Sequence, residues 1–162
     1  MSIITRRIRP DDGELLRRVR LAALADAPSA FAGTHAAEAA NPEARWAELA
    51  AQRSTGPEHA TFFAVDGEAV VGLVGGHRVD PATVELVSMW TEPTARGRGV
   101  GAVLVEAVVE WADGSAVELW VTRGNDAAQR LYERCGFQLT LEVQPLPSDP
   151  CREEIRMRRH TR

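Results

Sequence analysis

The stretch ARGRGVGAVL, residues 95–104, sets Gly97, Gly99 and Gly101 at alternate positions, with Arg96 and Arg98 between them and an apolar run directly after. Each glycine costs conformational entropy near the start of a helix, so three together need a reason. The stretch follows ATVELVSMWTE, which reads as a strand reaching Thr91. It opens a helix from about Gly99 to Trp111, with Leu104, Ala107, Val108 and Trp111 on one face. Unpaired N–H groups and the positive end of the helix dipole at such a junction attract an anion. Glycines let the backbone come close, successive amides form a concave nest, and Arg96 and Arg98 add charge-assisted donors. The pattern reads as a pyrophosphate cradle, and taken alone it fits a ligand-free glycine turn almost as well. Two other phosphate loops fit worse. Ala102 and Val103 follow Gly101, so the lysine and hydroxyl of an ATP-type P-loop are missing. The dinucleotide fingerprint belongs beside a first strand, whereas four strands precede this one, and Glu118 lies mid-strand rather than closing a second strand.

Outward from the glycines, the flanking segments alternate between the two periods of regular structure. Residues 2–9 read as a strand, and residues 10–28 as a helix with Asp11 and Glu14 as a capping box. Residues 41–53 read as a second helix, with Asn41 as N-cap and Pro42 at its first position. The segment SAFAGTHAAEAA between them carries no assignable period. Two apolar runs joined by Asp66-Gly67 predict a hairpin. After the glycine helix come a strand, SAVELWVT, and a helix from Asn125 to Gly136. FQLTLEV and REEIRMRR read as two final strands, separated by QPLPSDPC as a three-proline loop. The expected order is β-α-α-β-β-β-α-β-α-β-β: one α/β (α+β) domain over residues 1–162, with about four helices on a mixed, mostly antiparallel seven-stranded sheet.

A second stretch decides what the glycines are for. LWVTRGNDAAQRLYERCGF follows one strand later. Together the two resemble the motifs of the GCN5-related N-acetyltransferase (GNAT) superfamily. The first matches its Arg/Gln-x-x-Gly-x-Gly/Ala signature at Arg96, Gly99 and Gly101, with Pro93 ahead of it. The second matches Asn-x-x-Ala-x-x-Leu-Tyr-x-x-x-Gly-Phe at Asn125, Ala128, Leu131, Tyr132, Gly136 and Phe137. The resemblance is specific over residues 83–140 and architectural before residue 60 and after residue 144. It implies acetyl-CoA as co-substrate. The pantetheine arm would lie between splayed strands ending near Thr91 and Val121, pairing with backbone near Met89 and Thr91. The pyrophosphate would sit on the amides of Arg96, Gly97, Arg98, Gly99, Val100, Gly101 and Ala102. Asn125 and Tyr132 would flank the thioester end, with Ala128 among the cofactor-binding residues. Threonine at position 91, where relatives usually carry an aliphatic residue, is a mild departure.

Acetyl transfer sets its own requirements. An amine acceptor is protonated at pH 7 and must lose a proton to attack. The leaving thiolate departs better when it is protonated. Tyr132, the only tyrosine, matches the tyrosine of the motif and is the expected acid. Glu85, isolated in an apolar strand six residues before Thr91, is the expected base, acting through water. Even spacing would put Glu85, Val87, Met89 and Thr91 on one face, with Ser88 turned away. Trp90 and Trp120 read as core, and Arg156, Arg158 and Arg159 as solvated surface. Cys135 has no base in view and reads as a small hydrophobe. Contacts to the acceptor are expected from Ser29, Phe31, Thr34 and His35 and from residues 144–151. The rival from another class is a non-catalytic acyl-CoA-binding module that keeps the cradle, and retention of Tyr132 and Glu85 counts against it.

Composition narrows the partners. The chain has 162 residues, 44% hydrophobic and 26% charged, with a net charge of −4. That balance argues against nucleic acid held by bulk charge. All 19 basic residues are arginine. Two cysteines and four scattered histidines make neither a disulfide framework nor a metal site. No apolar run is long enough for a bilayer, and the N-terminus lacks a signal core. The expectation is a cytoplasmic monomer or homodimer with acetyl-CoA and an amine as partners, without metal.

Overall fold

The computed structural model describes residues 2–160. Strand β1 (Ile3–Arg7) leads into α1 (Gly13–Asp26), a 3-10 turn at Pro28–Ala30, α2 (His35–Ala39) and α3 (Glu43–Ser54). A three-strand meander follows: β2 (His59–Asp66), β3 (Ala69–Asp80) and β4 (Thr83–Thr91). A second 3-10 turn at Pro93–Ala95 precedes α4 (Val100–Ala112), then β5 (Ala116–Thr122), α5 (Asp126–Arg134), β6 (Gln138–Leu146) and β7 (Asp149–Arg159). The order matches expectation with one addition. Helix α2 fills part of the unassigned segment, and Thr34 Oγ1 starts it by accepting the Ala37 N–H at 3.2 Å.

Three local readings are corrected. Asp12, not Asp11, precedes α1, and no side-chain cap forms. The Asp12 carboxylate instead accepts Arg6 at 2.7 Å and the Arg9 N–H at 2.8 Å. Helix α3 begins at Glu43, so Pro42 takes the cap position expected of Asn41. Segment 144–151 is mostly strand, with Pro145 paired to Glu153 and only Pro147 and Ser148 outside β6 and β7. Because β6 is an edge strand, one of its sides needs no ladder donors, and proline is tolerated there.

The sheet runs β1-β2-β3-β4-β5-β7-β6, antiparallel except for the parallel β4–β5 pair at its middle. Helix α4 covers one face, where Leu104, Val105 and Val108 pack with Leu86, Leu119 and Met157. Helices α1 and α3 cover the other, where Leu16 and Trp46 pack with Phe63, Leu73 and Trp90. The two layers position everything that follows.

An irregularity in β4 changes which residues face where. Gly75 pairs with Val87 and Leu73 with Trp90, so Ser88 and Met89 together oppose Val74. This is a β-bulge, and Ser88 sits in it at φ +57°. One extra residue inverts the side-chain alternation beyond it. Glu85 and Val87 lie on the α1 side of the sheet, but Met89 packs into the α4-side core while Trp90 takes the α1 side. The expected single row from Glu85 to Thr91 is therefore broken. Ser88 does not face away from Glu85: both open onto one cavity, and Ser88 Oγ accepts Arg20 Nη1 at 2.8 Å.

Helix α4 approaches β3 closely where β3 has no side chain. A Cβ added to Gly72 would lie 2.8 Å from the Trp90 carbonyl oxygen and 3.0 Å from the side chains of Val100 and Leu104. Propensity alone favours alanine over glycine within a strand. Overpacking predicts the reverse here: Gly72→Ala should cost about 1–3 kcal/mol in urea unfolding. An unchanged or raised stability would show that α4 is not held this tightly to the sheet.

Candidate active site

Strands β4 and β5 pair only where Thr83–Glu85 meets Ala116–Glu118. Beyond that they separate, although β4 stays bonded to β3 and β5 to β7 on their outer sides. The facing backbone groups of 86–91 and 119–122 are left without ladder partners, an uncommon state for strands inside a sheet. A cavity of about 170 Å³ fills the fork, lined by Met89, Thr122, Asn125, Ala128 and Tyr132 among others. Sequence reading placed Asn125 and Tyr132 at the thioester end, Met89 along the pantetheine arm and Ala128 in the cofactor site, and the fold brings these four together with Thr122, which sequence reading did not single out.

The mouth of the fork is the glycine loop. Gly97 and Gly99 have φ of +78° and +80°, and nothing lies within 4 Å of a Cβ built on either. Glycine is needed there for backbone conformation, and the space beside it is open. Gly99 is the N-cap of α4 with no side-chain cap, so the first helical amides are unclaimed. Gly101 serves a different purpose: its Cβ would fall 2.7 Å from Leu131, so its smallness lets α5 seat against α4.

Both arginines of the loop are engaged by the protein. Arg96 donates to Asp26 at 2.5 Å and to the Thr91 carbonyl at 3.2 Å. Arg98 donates to Asp66 at 2.7 Å. Asp26 also accepts Trp90 Nε1 at 2.9 Å. The Trp90 N–H, and then the Arg96 guanidinium, hold the Asp26 carboxyl below the usual carboxylate range. Both ion pairs are partly open to solvent and contribute little to stability. Their effect is positional, tying the loop to α1 and to the β2–β3 turn.

At the inner end stands Tyr132, 6% exposed, its ring edge-on to Phe137 at 5.9 Å. Asn125 Oδ1 caps α5 by accepting the Ala128 N–H at 3.2 Å, which sets the helix that carries Tyr132. Burial, and secondarily Cys135, push the phenol above its ordinary value of about 10. Burial also pushes the Cys135 thiol up, in keeping with an unreactive residue.

A second cavity, about 280 Å³, adjoins the first on the α1 side and is lined by Ser29, Phe31, Glu85, Trp120, Leu146 and Glu154 among others. Ser29 and Phe31 stand where acceptor contacts were expected. Thr34 instead caps α2, and His35 is exposed at its start. Glu85 has His77 Nε2 at 3.6 Å, and His77 stacks on His59 at 6.0 Å. Arg20 joins the wall to the bulge: it bonds Glu38 at 2.9 Å and lies over Phe31 at 4.6 Å as well as reaching Ser88.

The C-terminal arginines correct another expectation. Arg156 and Arg158 both pair with Glu118, Arg156 also covers the Trp120 ring at 4.3 Å, and Arg159 reaches Glu106 at 3.1 Å. Trp120 is accordingly a cleft wall rather than core, whereas Trp90 is core as expected. Sequence reading missed Glu154 and Arg20. For Glu154 a signal existed: Glu154, Arg156 and Arg158 alternate with Ile155 and Met157, the mark of one polar strand face.

Because Tyr132 is the only tyrosine, tyrosinate absorbance near 295 nm reports it alone. In the folded protein it should show no midpoint at or below about pH 10, the value of a free phenol. Denaturant should move the midpoint down to that value. A native midpoint at or below it would mean that the ring is not enclosed as described.

The comparisons agree with this geometry. The family model described as Acetyltransferase (GNAT) family matches residues 21–137. The chain is 33% identical over 97 residues to an N-alpha-acetyltransferase RimI of Mycobacterium tuberculosis, covering 57% of this chain and 61% of that relative. It thus spans less than two thirds of that relative's length. A GNAT-family acetyltransferase of Streptococcus pneumoniae superposes with a TM-score of 0.77 at 18% identity, over 98% of this chain and 99% of that one. A GNAT superfamily phosphinothricin acetyltransferase of Sinorhizobium meliloti, solved with acetyl-CoA, gives 0.76 at 18% identity, over 99% and 89%. At these identities the two structures speak for the fold alone. Motifs, fork and family match together establish that this chain belongs to the GNAT acetyltransferase family.

Proposed function

We propose that the protein transfers an acetyl group from acetyl-CoA directly to a primary amine, with Glu85 as general base through water and Tyr132 as general acid. The observation that carries this reading is the fork itself. Two strands inside one sheet leave their facing edges unpaired, an open glycine loop lies at one end, and an enclosed phenol lies at the other. An extended chain with a pyrophosphate at one end and a thioester at the other complements all three.

In this reading the backbone amides from Arg96 to Ala102 take the pyrophosphate, and the edge near Met89 and Thr91 pairs with the pantetheine arm. The amine enters from the α1 side, past Phe31 and Trp120. Glu85 draws off its proton through water, and His77 beside Glu85 gives that proton a route outward. Nitrogen then attacks the thioester carbon, the new C–N bond replaces the C–S bond, the phenol of Tyr132 supplies a proton to the departing sulfur, and the second proton that the nitrogen sheds on becoming an amide restores the phenol. A phenol kept protonated by burial suits that task. Holding the reactants in the narrow fork supplies the proximity part of the rate.

Thiol release from acetyl-CoA over a panel of amines tests the reading. Tyr132→Phe should keep acetyl-CoA affinity and lose about a hundredfold in turnover. Glu85→Gln should slow turnover at pH 7 and recover toward wild type as pH rises, because more amine is then already deprotonated. A constant wild-type-to-variant ratio across the alkaline range would remove Glu85 from the base role. Thiol release with no amine of the panel would leave the acyl-CoA-binding module as the better description.

A further inference from the structure

Three carboxylates open onto one face of the sheet beside the fork: Glu85 on β4, Glu118 on β5 and Glu154 on β7. Their surroundings differ. Glu118 receives both Arg156 and Arg158. Glu85 has His77 beside it at 3.6 Å. Glu154 is only 8% exposed, and its Oε1 accepts Gln144 Nε2 at 2.6 Å. Among the described residues Oε2 accepts no hydrogen bond, and no arginine or histidine pairs with the group. Arginine is not scarce nearby, since adjacent Glu153 holds Arg123 at 2.9 Å. Most of the side chain is withdrawn from water, one amide donor serves Oε1, and Oε2 keeps an open side toward solvent, so a cation arriving there would meet a carboxylate that nothing else compensates.

Position gives the open oxygen a use. Glu154 pairs across the ladders with Thr122 at the open end of β5 and with Gln144 on β6. It lines both the 170 Å³ cavity that holds Tyr132 and the 280 Å³ cavity that holds Glu85. Glu85 lines only the outer one. The junction of the two is where an acceptor nitrogen must stand to reach a thioester in the fork.

We propose that Glu154 is a specificity-determining residue: its free oxygen receives the acceptor's ammonium group at the junction, so that the cleft selects cationic amines over uncharged molecules of the same shape. The proposal rests on the acetyl-transfer reading and adds a residue to it. Glu118 cannot share the task because two arginines already neutralise it. Phe31, Trp120 and Leu146 supply apolar wall, while Arg20, Ser29, Glu85, Ser88 and Gln144 add polar groups on the outer side; Glu154 is the carboxylate that reaches the inner cavity as well. Gln144 keeps Oε1 fixed and Oε2 turned to the ligand.

Benzylamine and benzyl alcohol differ in charge at pH 7 and little in shape. Their binding to the CoA-loaded protein can be measured by calorimetry with no transfer taking place. The wild type should prefer benzylamine by at least tenfold. Glu154→Gln, which keeps the size and the bond to Gln144, should bring the two affinities within about threefold, and Glu154→Asp should restore part of the preference. Equal affinities in the wild type, or no binding of either, overturn the proposal whether or not the variants fold. Survival of the full preference in a folded Glu154→Gln protein overturns it too. If the preference is present but no amine is acetylated, the transfer reading falls and the cation site stands. If amines are acetylated and the preference is absent, the cation site alone falls.

Discussion

The separation of β4 from β5 is the constraint on which the rest of the site depends. The two strands are held together over Thr83–Glu85 and held apart beyond it. Each is secured on its outer side, β4 by β3 and β5 by β7, so the gap opens inside the sheet rather than at its edge. The bulge at Ser88 is the local cause we assign to it. An extra residue bends a strand and raises its twist, and Ser88 adopts a left-handed conformation to admit it. Such a conformation costs of order 1 kcal/mol in a residue with a side chain and persists only where the surroundings impose it. Arg20 is part of that imposition, gripping Ser88 and Glu38 together and so tying the bulge to the helix beside the cleft.

The glycine loop shows how a surface can be held in place without being bulky. Its amides are exposed because Gly97 and Gly99 leave the space beside them empty. Its position is set from elsewhere, by Arg96 on Asp26 and Arg98 on Asp66. Exposed ion pairs of this kind contribute little to stability. Holding a loop that would otherwise be free before a ligand arrives reduces the ordering cost on binding, which is where such modest energies matter. The arginines of the motif thus act through geometry in the free protein, and in the proposed function the charge that would draw an anion rests chiefly with the start of α4.

Much of this was legible in the sequence, and the failures have physical causes. The element order and the neighbourhood of Met89, Asn125 and Tyr132 followed from periodicity and two motifs. The bulge was not legible, because VELVSMWTE alternates well enough to hide one extra residue, and every facing assigned past Ser88 was inverted by it. Prolines 145, 147 and 150 suggested a loop because proline is barred from central strands, yet Pro145 lies in the edge strand β6 and Pro150 at the start of β7, beyond its pairing with β5, where that rule relaxes. Arg156, Arg158 and Arg159 looked like solvated surface in a charged C-terminal strand, and Glu154 beside them was passed over. Whether such a face meets water or a cleft depends on its neighbours, here Trp120 and Phe31, which no local pattern reveals.

The central claim is that the unpaired edges of the fork, with the glycine loop at its mouth, form one continuous seat for an acyl-CoA chain. Amide hydrogen exchange read residue by residue, with and without CoA, tests it most directly. Backbone pairing and anion contacts should slow exchange together at residues 88–91 and 97–102, while the amides of β1 and β6 stay unchanged. Protection at the glycine loop without protection along β4, or protection confined to another face, would contradict the account, because the fork would then not be where the chain lies.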